Sequence, residues 1–229
     1  MINGINSREM ILEILLEIEE GEHSHVAIRN ALSKYQFLPK QDRAFITRVC
    51  EGTLEYRIQI DYIINSFSKV TVDKMKPAIR EILRSAVYQL KYMDSVPDSA
   101  VCNEAVKLAQ RKGFYNLKPF VNGVLRTIAR EMDQVRFPQK EDDLLKYLSV
   151  KYSMPEVLVT RWLEAYGEET TEKILADFLM EHPLTIRCRT YLNSKEEVIK
   201  SLESQGVHVA PAPYLPYAYS ISEFNHILA

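Results

Sequence analysis

Apolar side chains recur at spacings of three and four residues from Ser7 to about Glu131. This period is that of an amphipathic helix, and its repetition along the stretch predicts a helical bundle. Ser7 is the expected N-cap of the first helix, and Gly21 is expected to end that helix. Residues 41–67 keep the same period and fit either one long helix or two.

Prolines and glycines mark the later helices of the bundle. Lys76-Pro77 suits a first helical turn, Pro119 opens another helix, and Gly113 is expected to end the helix between them. Asn122-Gly123 could form a hairpin turn, but the apolar positions around it keep the helical period. We therefore place Gly123 inside a helix, where the missing side chain would permit close helix packing.

The pattern changes after residues 135–140, which contain Phe137-Pro138 and form the predicted linker between a domain at 1–136 and a domain at 141–229. The second domain is expected to hold helices near 141–148, 155–166, 168–178 and 195–203 and strands at 184–189 and 207–209. The strand that completes this sheet is either missing or supplied by residues 217–221. The predicted fold class is mainly α, a helical bundle followed by a small α/β subdomain.

Composition excludes several classes of protein. The 229 residues are 46% hydrophobic and 26% charged, which is typical of a globular protein and not of a disordered one. Charges interrupt every apolar run before the roughly 18 residues that a membrane span needs. The N-terminus lacks the basic start and apolar core of a signal peptide, so we expect a cytoplasmic location and no membrane partner.

The cysteine and histidine patterns predict no metal site. Cys50, Cys102 and Cys188 are odd in number and lack a CxxC spacing, which favours buried free thiols. His23 and His25 would lie on different sides of a helix, and no other ligand pattern completes a site. Charge is more informative: residues 1–136 hold 20 Lys and Arg against 17 Asp and Glu, and the remainder holds 9 against 14. An anionic partner is therefore expected on the first part.

Two ordered series of short motifs carry a family resemblance. The first series is Asp42-Arg43, Glu51-Gly52-Thr53-Leu54, Tyr88-Gln89-Leu90, Val96-Pro97, Asn103-Glu104-Ala105-Val106 and Phe120-Val121-Asn122-Gly123-Val124-Leu125-Arg126, and it resembles the NusB-like helical domain. The second series is Tyr152-Ser153-Met154-Pro155, Trp162, His182-Pro183-Leu184-Thr185-Ile186-Arg187, Asn193 and Gly206, and it resembles the N-terminal subdomain of RsmB/Sun-type ribosomal RNA cytosine-5 methyltransferases. The two resemblances together cover nearly the whole chain.

Members of that methyltransferase family continue into a doubly wound domain that binds S-adenosylmethionine and uses a cysteine to attack C6 of cytosine. This chain has no Gly-rich cofactor loop, since its closest glycines are Gly113 and Gly123. The family's functional cysteines follow Thr or Pro, whereas the three here follow Val or Arg. We therefore expect no catalytic residue, no bound cofactor and no activity of this chain alone. Its end at Ala229, where the catalytic domain should begin, favours a truncated piece over an independent short protein.

RNA binding needs cations for phosphates and often aromatic surfaces for bases, and the run from Arg111 to Phe120 offers both. Phe114 and Phe120 could instead be core residues. The first helix touches RNA in NusB proteins, although here it carries only Arg8 among several glutamates. Arg187 and Arg189 would project from one strand face, and Trp162 fits a core position. The candidate RNA-binding residues are Arg8, Arg43, Arg111, Lys112, Tyr115, Lys118, Phe120, Arg126, Arg130, Arg187 and Arg189.

Two functions remain open at this point. The first is an RNA-binding module that positions small-subunit ribosomal RNA for a methyltransferase domain in the same chain. The second is a protein-interaction module that forms a homodimer or docks ribosomal proteins or transcription factors. A steep loss of binding with salt would favour RNA as the partner.

Overall fold

The computed structural model describes residues 6–35, 38–180, 182–189 and 191–222. It divides into two compact units, one ending at Ala176 and one beginning at Asp177. The predicted fold class, mainly α with a small α/β portion, is confirmed. The placement of a domain boundary between residues 136 and 141 stays a prediction. None of the helices in these ranges is long and apolar enough to cross a membrane.

The first unit is helical, as the apolar period predicted. Its helices are α1 Ser7–Glu19, α2 Ser24–Lys34, α3 Lys40–Glu55, α4 Arg57–Phe67, α5 Pro77–Tyr92, α6 Asp98–Arg111, α7 Lys118–Glu131, α8 Leu144–Lys151 and α9 Glu156–Phe178, with 3₁₀ turns at Val72–Lys74, Tyr115–Leu117 and Met132–Gln134. The last two residues of α9 belong to the second unit. Helix α5 contacts α1, α3, α4, α6 and α7, and its Ile79, Ile82 and Leu83 are at most 1% exposed. The bundle is therefore built around α5.

Several helix ends differ from the sequence prediction. Asn6, not Ser7, caps α1, because its Oδ1 accepts a hydrogen bond from the backbone N–H of Arg8 at 2.9 Å. Residues 41–67 form two helices, α3 and α4, which meet at Tyr56. Pro77 occupies the first turn of α5, as predicted. Gly167, with φ of 73°, interrupts α9 between the two helices that the sequence predicted there.

The glycine that permits close helix packing is Gly52, not Gly123. Gly123 does lie inside a helix, α7, but it is exposed and a Cβ added there would meet nothing within 4 Å. A Cβ at Gly52 of α3 would overlap the ring of Tyr88 on α5. Two motifs of the family series, one around Gly52 and one around Tyr88, therefore touch each other in the core.

The segment after the predicted linker packs on the bundle within the first unit. The side-chain amide of Gln59 on α4 donates to the carbonyls of Val150 and Lys151 at 3.2 Å each. The Oγ of Ser153 accepts a hydrogen bond at 3.1 Å from the N–H of Ile58 in the first turn of α4. Trp162 is half-buried against a small core that includes Leu148, as predicted.

The second unit is a small antiparallel sheet with one helix. Its elements are β1 Leu184–Arg187, α10 Lys195–Ser204, β2 His208–Pro211 and β3 Ala218–Ser222. Strand β3 lies between β1 and β2, with Ile221 opposite both Leu184 and Val209. The completing strand is thus supplied by this chain. Ser194 and Glu197 form a capping box that begins α10.

Candidate nucleic-acid interface

The turn between α6 and α7 brings basic and aromatic side chains to the surface. Gly113 adopts a left-handed φ of 84° and ends α6, and the next N–H, of Phe114, bonds back to the carbonyl of Ala109 at 2.9 Å. Phe114 is half-buried and packs on the core, whereas Tyr115 stays 61% exposed. The ring of Phe114 therefore holds the turn against the core, and the ring of Tyr115 is accessible for stacking.

Two cations lie on either side of this exposed ring in the sequence. Arg111 is exposed at the end of α6, and Lys118 is half-buried at the start of α7. Within the described ranges, no carboxylate lies within ion-pair distance of either side chain. Their charges are therefore available to a phosphate.

Helix α7 continues the basic surface along its length. Lys118, Asn122, Arg126 and Arg130 recur every four residues, so neighbours in the series lie near one another on the helix. Arg126 is exposed, and its Nε donates to the Oδ1 of Asn122 at 2.9 Å. Arg130 is 71% exposed but pairs with Glu131 at 2.6 Å. Cations therefore recur along α7, although Glu131 partly neutralises the charge of Arg130.

Helix α6 adds a lysine that sequence reasoning missed. Lys107 is 60% exposed, and its Nζ donates to Glu104 at 2.7 Å. This hydrogen bond, helped by the charges of Arg8 and Arg111, lowers the pKa of Glu104. The four-residue spacing of Lys107 and Arg111 was the signal that could have found it. We call the set Lys107, Arg111, Tyr115, Lys118 and Arg126 the α6–α7 surface.

Other predicted residues have structural partners. The guanidinium of Arg8 lies 5.2 Å from the ring centroid of Phe45, and burial lowers its pKa. Lys112 forms ion pairs with Glu9 at 3.2 Å and Glu13 at 3.0 Å. Two glutamates of the first helix therefore hold this lysine. Burial opposes its charge, but the hydrogen bonds from Lys112 to these glutamates raise its pKa.

The remaining candidates lie apart from the α6–α7 surface. Arg43 of α3 donates to the carbonyl of Leu32 at 3.3 Å, so it is tied to the α2 side of the bundle. Phe120 is half-buried against the core. Arg187 and Arg189 are exposed in the second unit, but Arg189 lies beyond the end of β1, which is shorter than predicted. That both arginines project from one strand face stays a prediction.

The histidines and cysteines are candidate metal ligands, and the cysteines are also candidate reactive thiols. No group of three or more His, Cys, Asp or Glu side chains in the described part of the chain could hold a metal ion. His23 precedes α2, and its ring stacks on that of His25 with centroids 5.9 Å apart, so the expectation that they lie on different sides of a helix is wrong. The three cysteines are buried and free, as predicted.

A second group of cations and rings lies where α8 packs on the bundle. An open groove of about 270 Å³ is lined by Gln59, Lys91, Phe137, Pro138, Gln139, Tyr147 and Lys151, and we call it the α8 groove. The Nζ of Lys91 lies 5.5 Å from the ring centroid of Phe137, and the Nζ of Lys151 lies 4.9 Å from that of Tyr147. Sequence reasoning treated residues 135–140 as a linker and missed this groove.

Comparison with known proteins decides the family. Residues 5–130 match the model described as the NusB family. The chain belongs to the NusB family. Residues 154–227 match the RsmF/B-like methyltransferase ferredoxin-like domain. The two recognised resemblances are thus confirmed.

Relatives and solved structures extend the match over most of the chain. A probable ribosomal RNA small subunit methyltransferase B of Bacillus subtilis (strain 168) is 32% identical over 88% of this chain and 44% of its own length. The chain thus spans less than half of that relative. The crystal structure of PH0851 has a TM-score of 0.69 at 23% identity, covering 97% of this chain and 50% of that one. An antitermination factor complex, NusB and NusE with double-stranded RNA, has a TM-score of 0.50 at 21% identity, covering 54% and 93%. At these identities the likeness to solved structures concerns the fold.

Proposed function

We propose that this chain is the RNA-binding, substrate-positioning part of an S-adenosylmethionine-dependent methyltransferase that acts on cytosine C5 of small-subunit ribosomal RNA. The observation that carries the proposal is the α6–α7 surface, where the unpaired charges of Arg111 and Lys118 flank the exposed ring of Tyr115 in the sequence. Phosphates require such cations, and an exposed ring can stack on an unpaired base.

The relatives supply the biological context for this surface. The NusB fold occurs in a complex with double-stranded RNA, and the methyltransferase B relative acts on small-subunit ribosomal RNA by its name. Holding RNA beside a catalytic domain in the same chain would raise the local concentration of substrate and orient it for methyl transfer. The cofactor and the catalytic residues belong to the proposed partner domain, and the described residues of this chain have the role of binding.

The proposal is tested by fluorescence anisotropy with labelled fragments of small-subunit ribosomal RNA and a scrambled control, at two salt concentrations. The variant is Arg111→Ala/Lys118→Ala, which removes the two cations on which the proposal rests. Lys107 and Lys112 are not chosen, because Glu104 holds the first and Glu9 and Glu13 hold the second. The matched control is Arg29→Ala/Lys34→Ala, which removes two exposed cations from α2. Each lost phosphate contact should reduce the slope of log K against log salt by about 0.7 to 0.9.

We expect the Arg111→Ala/Lys118→Ala variant to bind the ribosomal fragment more weakly with a shallower salt slope, while the α2 variant keeps the wild-type curve. Equal curves for both variants would reject the α6–α7 surface as the RNA contact. Absence of binding by the wild-type chain at low salt would reject independent RNA recognition and favour a docking role.

Protein interaction is the second candidate function, and the second unit favours it. Tyr191, Leu192 and Tyr214 are 78%, 63% and 92% exposed. Where exposed apolar side chains of this size form one patch, the patch commonly marks a contact with another protein. Analytical ultracentrifugation of the chain, alone and with the candidate ribosomal protein, tests this role through the change in sedimentation coefficient.

A further inference from the structure

The α8 groove has the composition of a nucleotide site. Its lining joins two lysines, Lys91 and Lys151, to the rings of Phe137 and Tyr147. Among the described residues no carboxylate is part of the lining, although Glu172 pairs with Lys151 from outside it. Cations next to aromatic faces are the combination with which proteins hold single-stranded nucleic acid, phosphate on the cation and base on the ring. The volume of about 270 Å³ lies near the lower end of small-molecule pockets, which suits a single base with its phosphate.

The ammonium of Lys91 contacts aromatic rings but makes no ion pair with the described residues. Its Nζ lies over the rings of Tyr92 and Phe137, at 5.4 and 5.5 Å from their centroids. Among the described residues, no acceptor or carboxylate lies within hydrogen-bond or ion-pair distance of it. Burial lowers the pKa of Lys91, with the more distant Asp133 opposing that shift. A half-buried ammonium without an acceptor gains from an anion placed in the groove.

The side of the groove formed by α8 is fixed by hydrogen bonds within the protein. Lys151 Nζ donates to the hydroxyl of Tyr147 at 2.6 Å and to Glu172 at 3.0 Å, which fixes lysine and ring together. The side-chain amide of Gln59 donates to the backbone of α8 and accepts a hydrogen bond from the hydroxyl of Tyr92. This amide therefore stabilises the base of the groove and is not available to a ligand. Such preformed walls reduce the entropy cost of binding.

We propose that the α8 groove binds one nucleotide of single-stranded RNA, with its phosphate at Lys91 and its base on the ring of Tyr147. The ring of Phe137 is already covered, because Tyr62 stacks on it with the ring centroids 5.8 Å apart. The proposal rests on the proposed function, since it adds a single-strand contact to a chain whose α6–α7 surface engages ribosomal RNA. The groove differs from the α6–α7 surface in that a short oligonucleotide without secondary structure is sufficient to occupy it.

The test measures binding of fluorescein-labelled tetrauridylate to the full chain by anisotropy. The groove variant is Lys91→Met, which keeps the aliphatic stem against Phe137 and removes the charge. The control is Lys34→Met, an exposed lysine of α2. We expect Lys91→Met to weaken binding about three- to tenfold and to reduce the salt slope by about 0.7, with no change in the control. Circular dichroism checks that each variant is folded. A 4-thiouridine version of the probe should cross-link to peptides within residues 137–151.

The possible outcomes distinguish the proposal of a nucleotide site in the α8 groove from the proposal that the chain positions ribosomal RNA. Binding of the ribosomal fragment without any dependence on Lys91, and without cross-links in 137–151, overturns the groove and leaves the α6–α7 surface standing. Binding of tetrauridylate that depends on Lys91, with no binding of the ribosomal fragment, supports the groove and rejects the positioning role. Displacement of the probe by hexaglutamate as effectively as by unlabelled tetrauridylate would assign the groove to acidic peptides and overturn the nucleotide.

Discussion

Replacing glycine by alanine should lower the stability at Gly52, which contacts Tyr88, and raise it at Gly123. Gly52→Ala and Gly123→Ala each add a methyl group inside a helix, α3 and α7 respectively. At Gly52 the methyl group would overlap ring atoms of Tyr88, whereas at Gly123 it would meet open space. Because the backbone change is the same, the difference in stability isolates the packing contact.

The magnitudes follow from burial and helix propensity. Tyr88 is 6% exposed and stacks near Tyr56 and Tyr92, with ring centroids 6.4 and 5.4 Å away, so its ring has little room to move. Overpacking of this kind costs typically about 1–3 kcal/mol, and overlap with several ring atoms places it near 3. Alanine regains about 1 kcal/mol of helix propensity. The free energy of unfolding should therefore fall by about 2 kcal/mol for Gly52→Ala and rise by about 0.5–1 kcal/mol for Gly123→Ala.

Guanidinium unfolding followed by circular dichroism at 222 nm measures both changes. The midpoint should move without a change in the slope m, and the melting temperature of Gly52→Ala should drop by about 4–8 °C. Adding Tyr88→Leu to Gly52→Ala should cost less than the sum of the single changes, because the smaller side chain removes the overlap. A Gly52→Ala protein as stable as wild type, or a Gly123→Ala protein less stable, would refute the reasoning.

Two further predictions concern charged contacts and are checked by the same unfolding assay. Arg84→Ala leaves Glu81, which is 4% exposed, without its ion pair and should lower the free energy of unfolding by about 3–5 kcal/mol. Arg130→Ala, at a side chain that is 71% exposed, should lower it by less than about 0.5 kcal/mol. Equal losses of stability in the two variants would contradict this prediction. The hydrogen bond from Lys151, with others, lowers the pKa of Glu172 from 4.5 to about 2, so its contribution is present above pH 4.5 and is lost as the pH falls towards 2. Glu172→Gln should be up to about 1 kcal/mol less stable than wild type at pH 7 and indistinguishable from it near pH 2, and a gap that does not depend on pH would count against the ion pair.

Function-related residues were predicted best where local sequence controls exposure. The run Gly113-Phe114-Tyr115 ends one helix and starts a turn, so its basic and aromatic neighbours reach the surface as expected. Lys112 is held by Glu9 and Glu13 of α1, which no short-range pattern could reveal because the partners are about a hundred residues away. The α8 groove was missed for the same reason, since Lys91 and Lys151 come together only when α8 packs on α4.

The sequence by itself determined the helical bundle, most element positions and the family, because helix periodicity, proline and glycine signals and short motifs act over a few residues. It also indicated the burial of the cysteines and the basic character of the α6–α7 turn. Tertiary structure alone decided which glycine allows close packing, which cations are neutralised and where β3 inserts in the sheet. These features depend on contacts between residues far apart in the chain, and a local pattern contains no information about which distant side chain will lie opposite.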